Sequence, residues 1–388
     1  MQRCETVAHV VLIASICVPV YAYFGYLSVL VLLGTFRTPR HVRDLPDEGL
    51  PPVTMIVSAH NEAAVIADKV LDFLGIDYPA DKLTLLIGSD GSDDGTTDVA
   101  LMAAQGSPRV RAIRFDTRRG KASVLNDLVV MASEGIVVVS DANTMYEADA
   151  VRKLVRHFAD PLVGAVCGRL ALSSVSSDAC LEEGLYWRYE NTLKRLESDL
   201  GALVAINGQV MAFRRGLFAP LPADAITEDQ YLGMMIMLGG HRVRFDPSAV
   251  ATETVGSLDE EKRRRLRISA GNIQTLVRVG LPLLNPLSGF PAFAYLSHKV
   301  MRWMVPFALG LSLISSGLLW RHEYARILLV AQVSFYGAAA VAAVFPLLRR
   351  LPPVRLVHYF AAMNARILLG FASYAMGRQT ARWRRSAR

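Results

Sequence analysis

Leu83-Thr84-Leu85-Leu86-Ile87-Gly88-Ser89-Asp90-Gly91-Ser92-Asp93-Asp94-Gly95-Thr96 is the stretch that decides the fold. Leu83 to Gly88 is a short apolar run that stops at turn-forming residues, which predicts a buried strand rather than a helix. An acidic cluster follows it at once. The same pattern recurs on both sides. Val53 to Ser58, Val110 to Phe115, Ile136 to Ser140 and Val163 to Arg169 are expected strands, and Glu62 to Leu74, Lys121 to Ala132 and Ala148 to Phe158 are expected helices between them. This is a βαβ series, so the region 51–255 is expected to be an α/β domain on a mainly parallel sheet. In such sheets ligands bind beyond the carboxyl ends of the strands, where Asp90 and Asp141 fall.

Outside that region the character changes. The 388 residues are 52% hydrophobic, enough for one sizeable domain plus several membrane spans and too apolar for an ordinary soluble enzyme. Val7 to Leu33 is almost unbroken apolar sequence, and about 20 such residues cross a hydrocarbon core. Residues 1–36 therefore read as an anchor rather than a signal peptide. Arg37, Arg40, His41 and Arg43 follow it and only Arg3 precedes it, which places the region after it in the cytoplasm. Leu281 to Trp303 is apolar but broken by Pro282, Pro286, Gly289 and Pro291, so 256–303 is expected to hold basic and interfacial helices. Met304 to Trp320 and Ile327 to Leu348 are expected spans within 304–348. Leu356 to Met376 carries Asn364 and Arg366 near its middle, so 356–376 is a re-entrant, interfacial or transmembrane segment; the favoured arrangement is re-entrant or interfacial, which leaves the basic tail 377–388 cytoplasmic, whereas a crossing would put it outside.

The net charge of +7 is mostly arginine beside apolar segments, a pattern that suits an anionic lipid leaflet better than nucleic acid. Cys4, Cys17, Cys167 and Cys180 show no metal-binding or disulfide spacing.

Each polar cluster has a plain structural reading. Asp90-Gly91-Ser92-Asp93 suits a turn. Asn61-Glu62 suits a helix start with Asn as N-cap, and Thr227-Glu228-Asp229 suits a threonine cap with acids in the first turn. Asp141-Ala142-Asn143 suits a loop before the helix at Ala148, and Arg118-Arg119-Gly120-Lys121 a solvated basic turn. Taken in order, however, VSAHNE at 57–62, SDGSDDGT at 89–96, RRGKASVLN at 118–126, SDANT at 140–144, INGQVMAFRR at 206–215 and ITEDQYLG at 226–233 form a set. They resemble the membrane-integrated glycosyltransferase family 2 enzymes with a GT-A, Rossmann-like fold, a group that includes cellulose, hyaluronan and poly-N-acetylglucosamine synthases. The resemblance spans about Val53 to Gln274.

The resemblance implies roles. Glu62 and Asp90 would contact the nucleotide, and Lys121 would meet its diphosphate at a helix start. Asp141 would bind Mg²⁺ or Mn²⁺ on that diphosphate, with Asn143 standing where the family has a second aspartate. Asp229 would be the general base, in a catalytic set with Glu228 and Arg267; Gly208, Gln209 and Thr227 would form the acceptor site. Arg265 and Arg267 match the two arginines of a processive-enzyme motif in which Gly271 and Gln274 also align; Arg264, a further donor-site residue in this reading, stands where that motif has a glutamine, and Ile268 where it has a tryptophan. An isoleucine offers no π-face to a sugar.

The expected function is inverting transfer from a nucleotide sugar, UDP-linked, to a growing β-linked exopolysaccharide at a bacterial inner membrane, with a cytosolic catalytic domain. Ile268 keeps open the transfer of one sugar to a lipid or lipid-linked acceptor. A non-catalytic scaffold for a synthase has Asn143 and Ile268 in its favour and the intact Thr227-Glu228-Asp229 against it. Expected partners are the donor, the acceptor and membrane lipids, with a synthase partner or a homo-oligomer completing any polymer channel, and no nucleic acid.

Overall fold

The computed structural model describes residues 2–36, 42–173, 180–254, 258–285 and 288–377. Arg37, Arg40, His41, Pro286 and the basic tail from Arg378 onward lie outside the described residues.

The chain starts with a long apolar helix, α1 (Arg3–Thr35). The elements of the α/β region follow in the order β1 (Val53–Ala59), α2 (Ile66–Leu74), β2 (Leu83–Asp90), α3 (Thr96–Ala104), β3 (Val110–Phe115), α4 (Lys121–Met131), β4 (Ile136–Ser140), β5 (Thr144–Tyr146) and α5 (Ala150–Val155). Next come β6 (Val163–Ser173), α6 (Cys180–Leu200), β7 (Met211–Arg214), α7 (Glu228–Leu238), β8 (Arg242–Thr254) and the basic helix α8 (Leu258–Val279). Three further helices close the chain: α9 (Phe290–Leu318), α10 (Glu323–Val344) and α11 (Pro352–Ala375).

The eight strands form one sheet in the order β3-β2-β1-β4-β7-β6-β8-β5. β1 is parallel to β2 and β4, β2 to β3, and β6 to β8, while β7 and β5 run antiparallel to their neighbours. Every residue of β1 and β4 is buried, as expected of strands covered on both faces. One core layer lies under α2, α3 and α5, with Phe73, Val70 and Leu154 against the sheet. The other lies under α4, α6 and α7 and runs without a break into Tyr26, Leu30, Tyr295 and Trp303 of the apolar helices. The fully buried Phe73 side chain contributes about 2–3 kcal/mol from area removed from water.

Register places the polar clusters at one edge. Val57 of β1 pairs with Ser140 of β4, and Ala59 with Ser89 of β2, so Asp90 and Asp141 leave neighbouring strand ends. Because β7 is antiparallel to β4, with Val139 opposite Met211, the turn at Gly208 before β7 reaches the same edge. Thr144 of β5 pairs with Glu253 of β8, which brings that carboxylate beside Asn143.

Among the described residues, α1, α9 and α10 are long and apolar enough to cross a membrane. The segment expected to lie along the interface up to Trp303 is continuous with the following helix: Phe290 to Leu318 is one helix with a π-helical stretch at Leu296–Val300. The 24-residue α11 carries Arg355, Asn364 and Arg366 and packs on α8, where Gly370 lets the two backbones approach at Ser269.

Candidate active site

Asp90 ends β2 and is almost fully buried. Its two carboxylate oxygens accept the backbone N–H groups of Arg119 at 2.7 Å and Gly120 at 2.8 Å, so it holds the turn that starts α4. His60 Nδ1 is 2.7 Å from the Asp90 carbonyl oxygen, tying the end of β1 to the same point. Each carboxylate oxygen has a second lone pair with which to accept from a base.

The expected helix start at Asn61-Glu62 is displaced: α2 begins at Ile66, and Asn61 sits at a left-handed φ of 55°. Side chains from the second cluster cause this. Ser92, Thr96 and Asp94 accept the backbone N–H groups of Asn61, Glu62 and Ala63, so residues 61–63 are committed to the loop and not to a helical turn. Glu62 is thereby fixed next to the Asp90 loop.

Lys121 opens α4 behind Gly120, as expected. Its ammonium bridges two carboxylates, Asp141 Oδ1 at 2.7 Å and Glu228 Oε1 at 2.9 Å. Burial alone would lower its pKa; Asp141 and Glu228 overcome that and raise it well above the ordinary lysine range. Asp141 shows the counterpart: burial pushes its carboxyl up, but Lys121, Arg264 and Arg267 hold it below the usual carboxylate value.

Thr227 is the N-cap residue of α7, yet its hydroxyl makes no cap bond and instead meets Thr275 of α8 at 3.1 Å. Gln274 of α8 accepts the Ile226 N–H at 2.9 Å and donates to the Asp224 carbonyl at 3.0 Å, so α8 clamps the loop that feeds α7. A Cβ at Gly271 would stand 2.6 Å from Thr227 Cγ2, which is why this contact needs glycine. Glu228 and Asp229 form the first turn of α7, where a helix end favours negative charge. Asp229 accepts the Gly208 N–H at 2.8 Å and the Gln230 N–H at 2.8 Å. A small apolar cavity lined by Leu125, Met211, Phe213 and Leu232 reaches its inner side. Burial first, and Glu228 second, raise its pKa above the aspartate range. A carboxylate held rigidly, with its proton affinity raised, is suited to take a proton.

Arg267 lies against the same loop, with Nη1 3.5 Å from the Ile226 carbonyl. Arg264 pairs with Glu253 at 3.3 Å, and Glu253 also accepts from Asn143 Nδ2 at 3.0 Å. Ile268 is partly exposed on α8. The Gln209 carbonyl accepts the Tyr146 hydroxyl, and buried Lys69 supports the adjoining loop by donating to the Thr144 carbonyl at 2.6 Å.

Glu253 and Lys69 are the residues that sequence reasoning missed. Pro247 interrupts the apolar pattern of β8, which hid the strand that delivers Glu253, and Lys69 lies within an expected helix face.

Comparisons with known proteins identify the family. A sequence model described as glycosyltransferase like family 2 matches residues 51–271, more than half of the chain and all of the sheet. The chain belongs to this family. The chain is 26% identical over 274 residues to the poly-beta-1,6-N-acetyl-D-glucosamine synthase of Staphylococcus aureus, covering 66% of this chain and 65% of that protein. The synthase of the same description from Staphylococcus epidermidis is 25% identical over 242 residues, 60% of this chain and 57% of that one. The chain thus spans somewhat under two thirds of the relatives' length. A solved mannosyltransferase from Pyrobaculum calidifontis, in complex with GDP-Man and Mn²⁺, superimposes with a TM-score of 0.69 at 24% identity, over 97% of this chain and 99% of that one. That likeness establishes the glycosyltransferase fold, including its flanking helices.

The oxygen-bearing side chains near this edge are of the type a divalent cation takes. Asp141, Asn143 and Glu253 offer carboxylate and amide oxygens, the ligands hard cations prefer. Among the described residues no cluster of three or more His, Cys, Asp or Glu forms a closed metal cage, so phosphate oxygens would have to complete the shell. Mg²⁺ and Mn²⁺ are commonly bound in that way.

Proposed function

We propose that this glycosyltransferase transfers a sugar, with inversion, from a nucleotide sugar to a growing β-linked exopolysaccharide at the cytoplasmic face of a bacterial inner membrane. The observation that carries the reading is Asp229. It stands at the start of α7, anchored by Gly208, one residue from the Glu228 that pairs with Lys121 and, through it, with Asp141.

In this reading Glu62 and Asp90 hold the nucleoside. Asp141, with Asn143 and Glu253, holds Mg²⁺ or Mn²⁺, which when bound neutralises charge on the diphosphate. Lys121, Arg264 and Arg267 face that position and stabilise the leaving group, because fixed cations act where charge develops. The turn at Gly208 and Gln209, with Thr227 beside it, receives the acceptor sugar. Asp229 takes the proton of the attacking hydroxyl on the face opposite the diphosphate.

The likeness to synthases of an N-acetylglucosamine polymer makes UDP-N-acetylglucosamine the first donor to test, and the mannosyltransferase neighbour makes GDP-mannose the second. Ile268 favours a second reading, transfer of a single sugar to a lipid-linked acceptor, since no aromatic face stands at that position of α8. Purified protein in membranes, supplied with each radiolabelled donor and with or without Mn²⁺, separates these readings. Long products support the polymerase, whereas one added sugar on lipid eliminates it.

A further inference from the structure

Lys194 is a lysine with 2% of its surface exposed, about two turns before the end of α6. Burying an ammonium is costly unless it is paired, so its surroundings call for a reason. Its Nζ donates to Asn207 Oδ1 at 2.9 Å. Asn207 is the residue before Gly208, whose N–H holds Asp229 Oδ2. The same face of α6 carries Glu190 one turn before Lys194 and Glu197 one turn after it. Glu197 accepts from the Tyr26 hydroxyl of α1 at 2.8 Å and lies 2.6 Å from His298 Nδ1 of α9. Glu190 pairs with Arg302 of α9 at 2.9 Å and with His298 Nε2 at 3.1 Å. One helical face therefore grips two apolar helices with its carboxylates and the acceptor turn with its ammonium.

We propose that Lys194 is a positioning residue for sugar transfer: it fixes the Asn207 to Gln209 turn, and through it Asp229, relative to the membrane helices. The proposal rests on the reading of Asp229 as the base. A purely structural filler would not need a donor aimed at this turn, since a buried methionine would occupy similar volume without the cost of burying a charge.

The test is a double-mutant cycle in the full-length protein in membranes, assayed with radiolabelled UDP-N-acetylglucosamine and, in parallel, GDP-mannose. Lys194→Met and Asn207→Ala should each lower kcat about 100-fold with the donor KM unchanged, since small displacements of a reacting group cost that much. The double variant should be no worse than either single one. Asn207→Asp, which keeps an oxygen for the ammonium, should retain most of kcat. If Lys194→Met does not fold, the contrast between Asn207→Ala and Asn207→Asp carries the test alone. Losses that multiply in the double variant, or wild-type kcat in Asn207→Ala, overturn the proposal. Asp229→Asn measured alongside separates the two claims: full turnover there removes the base assignment, whereas a multiplicative cycle removes only the Lys194 assignment.

Discussion

The Gly208 N–H donates to Asp229 Oδ2 at 2.8 Å, and a Cβ at position 208 would lie 2.7 Å from that same oxygen. The acceptor turn and the proposed base are therefore in contact through a gap that only glycine leaves open. Gly208→Ala should push the carboxylate aside and lower kcat about 100-fold while the protein still folds and binds donor. Wild-type kcat in that variant would show that the contact has no bearing on transfer.

Burial and the neighbouring Glu228 raise the Asp229 pKa. A base must be deprotonated, so kcat/KM should fall as pH drops through a value above the ordinary aspartate pKa of about 3.9. Glu228→Gln removes the like charge and should move this acidic limb to lower pH. A limb that stays in place would assign it to another group.

Asp141 is the carboxylate that Lys121, Arg264 and Arg267 surround. Asp141→Asn should weaken Mn²⁺ binding in the presence of nucleotide diphosphate at least tenfold, read by electron paramagnetic resonance, because one charged oxygen ligand is lost. Unchanged Mn²⁺ binding would place the cation elsewhere.

On the far side of the domain, buried Asp246 accepts from Arg156 at 2.8 Å and lies 2.8 Å from His157 Nε2. Burial opposes its ionisation, but His157, Ser248 and Arg156 together lower its pKa. A depressed carboxylate contributes stability that is present above its unfolded pKa and is lost as pH falls through the folded one. Asp246→Asn should therefore cost roughly 2 kcal/mol at neutral pH and flatten the acid limb of the melting temperature. An unchanged melting temperature at pH 7 would contradict this.

Much of the sheet was legible because covered strands are short apolar runs: the wholly buried Ile136 to Ser140 falls where the sequence places it, and so does Val110 to Phe115, although this edge strand is largely uncovered. Elements paired late in the chain were not. β8 alternates and contains Pro247, β7 is only four residues long, and the polar α6 packs Leu193 and Leu200 into the core while Glu190 and Glu197 pair with another helix. At the site, the cluster order pointed to Asp90, Lys121, Asp141 and Asp229, and the structure brings Lys121, Asp141 and Glu228 into direct contact. Glu253 and Lys194 reach the site only through tertiary pairing, which no local pattern announces. α2 begins later than its local sequence predicts for the same reason, since the side chains that hold residues 61–63 out of the helix come from 92–96.

The role of Asp229 is tested most directly by measuring donor binding and sugar transfer together in Asp229→Asn. The amide preserves the shape and can still accept one N–H, so calorimetric binding of the nucleotide sugar should match the wild type. Transfer should fall by at least 100-fold, the contribution expected of a positioned general base. Transfer at the wild-type rate in a variant that binds donor normally would contradict the account.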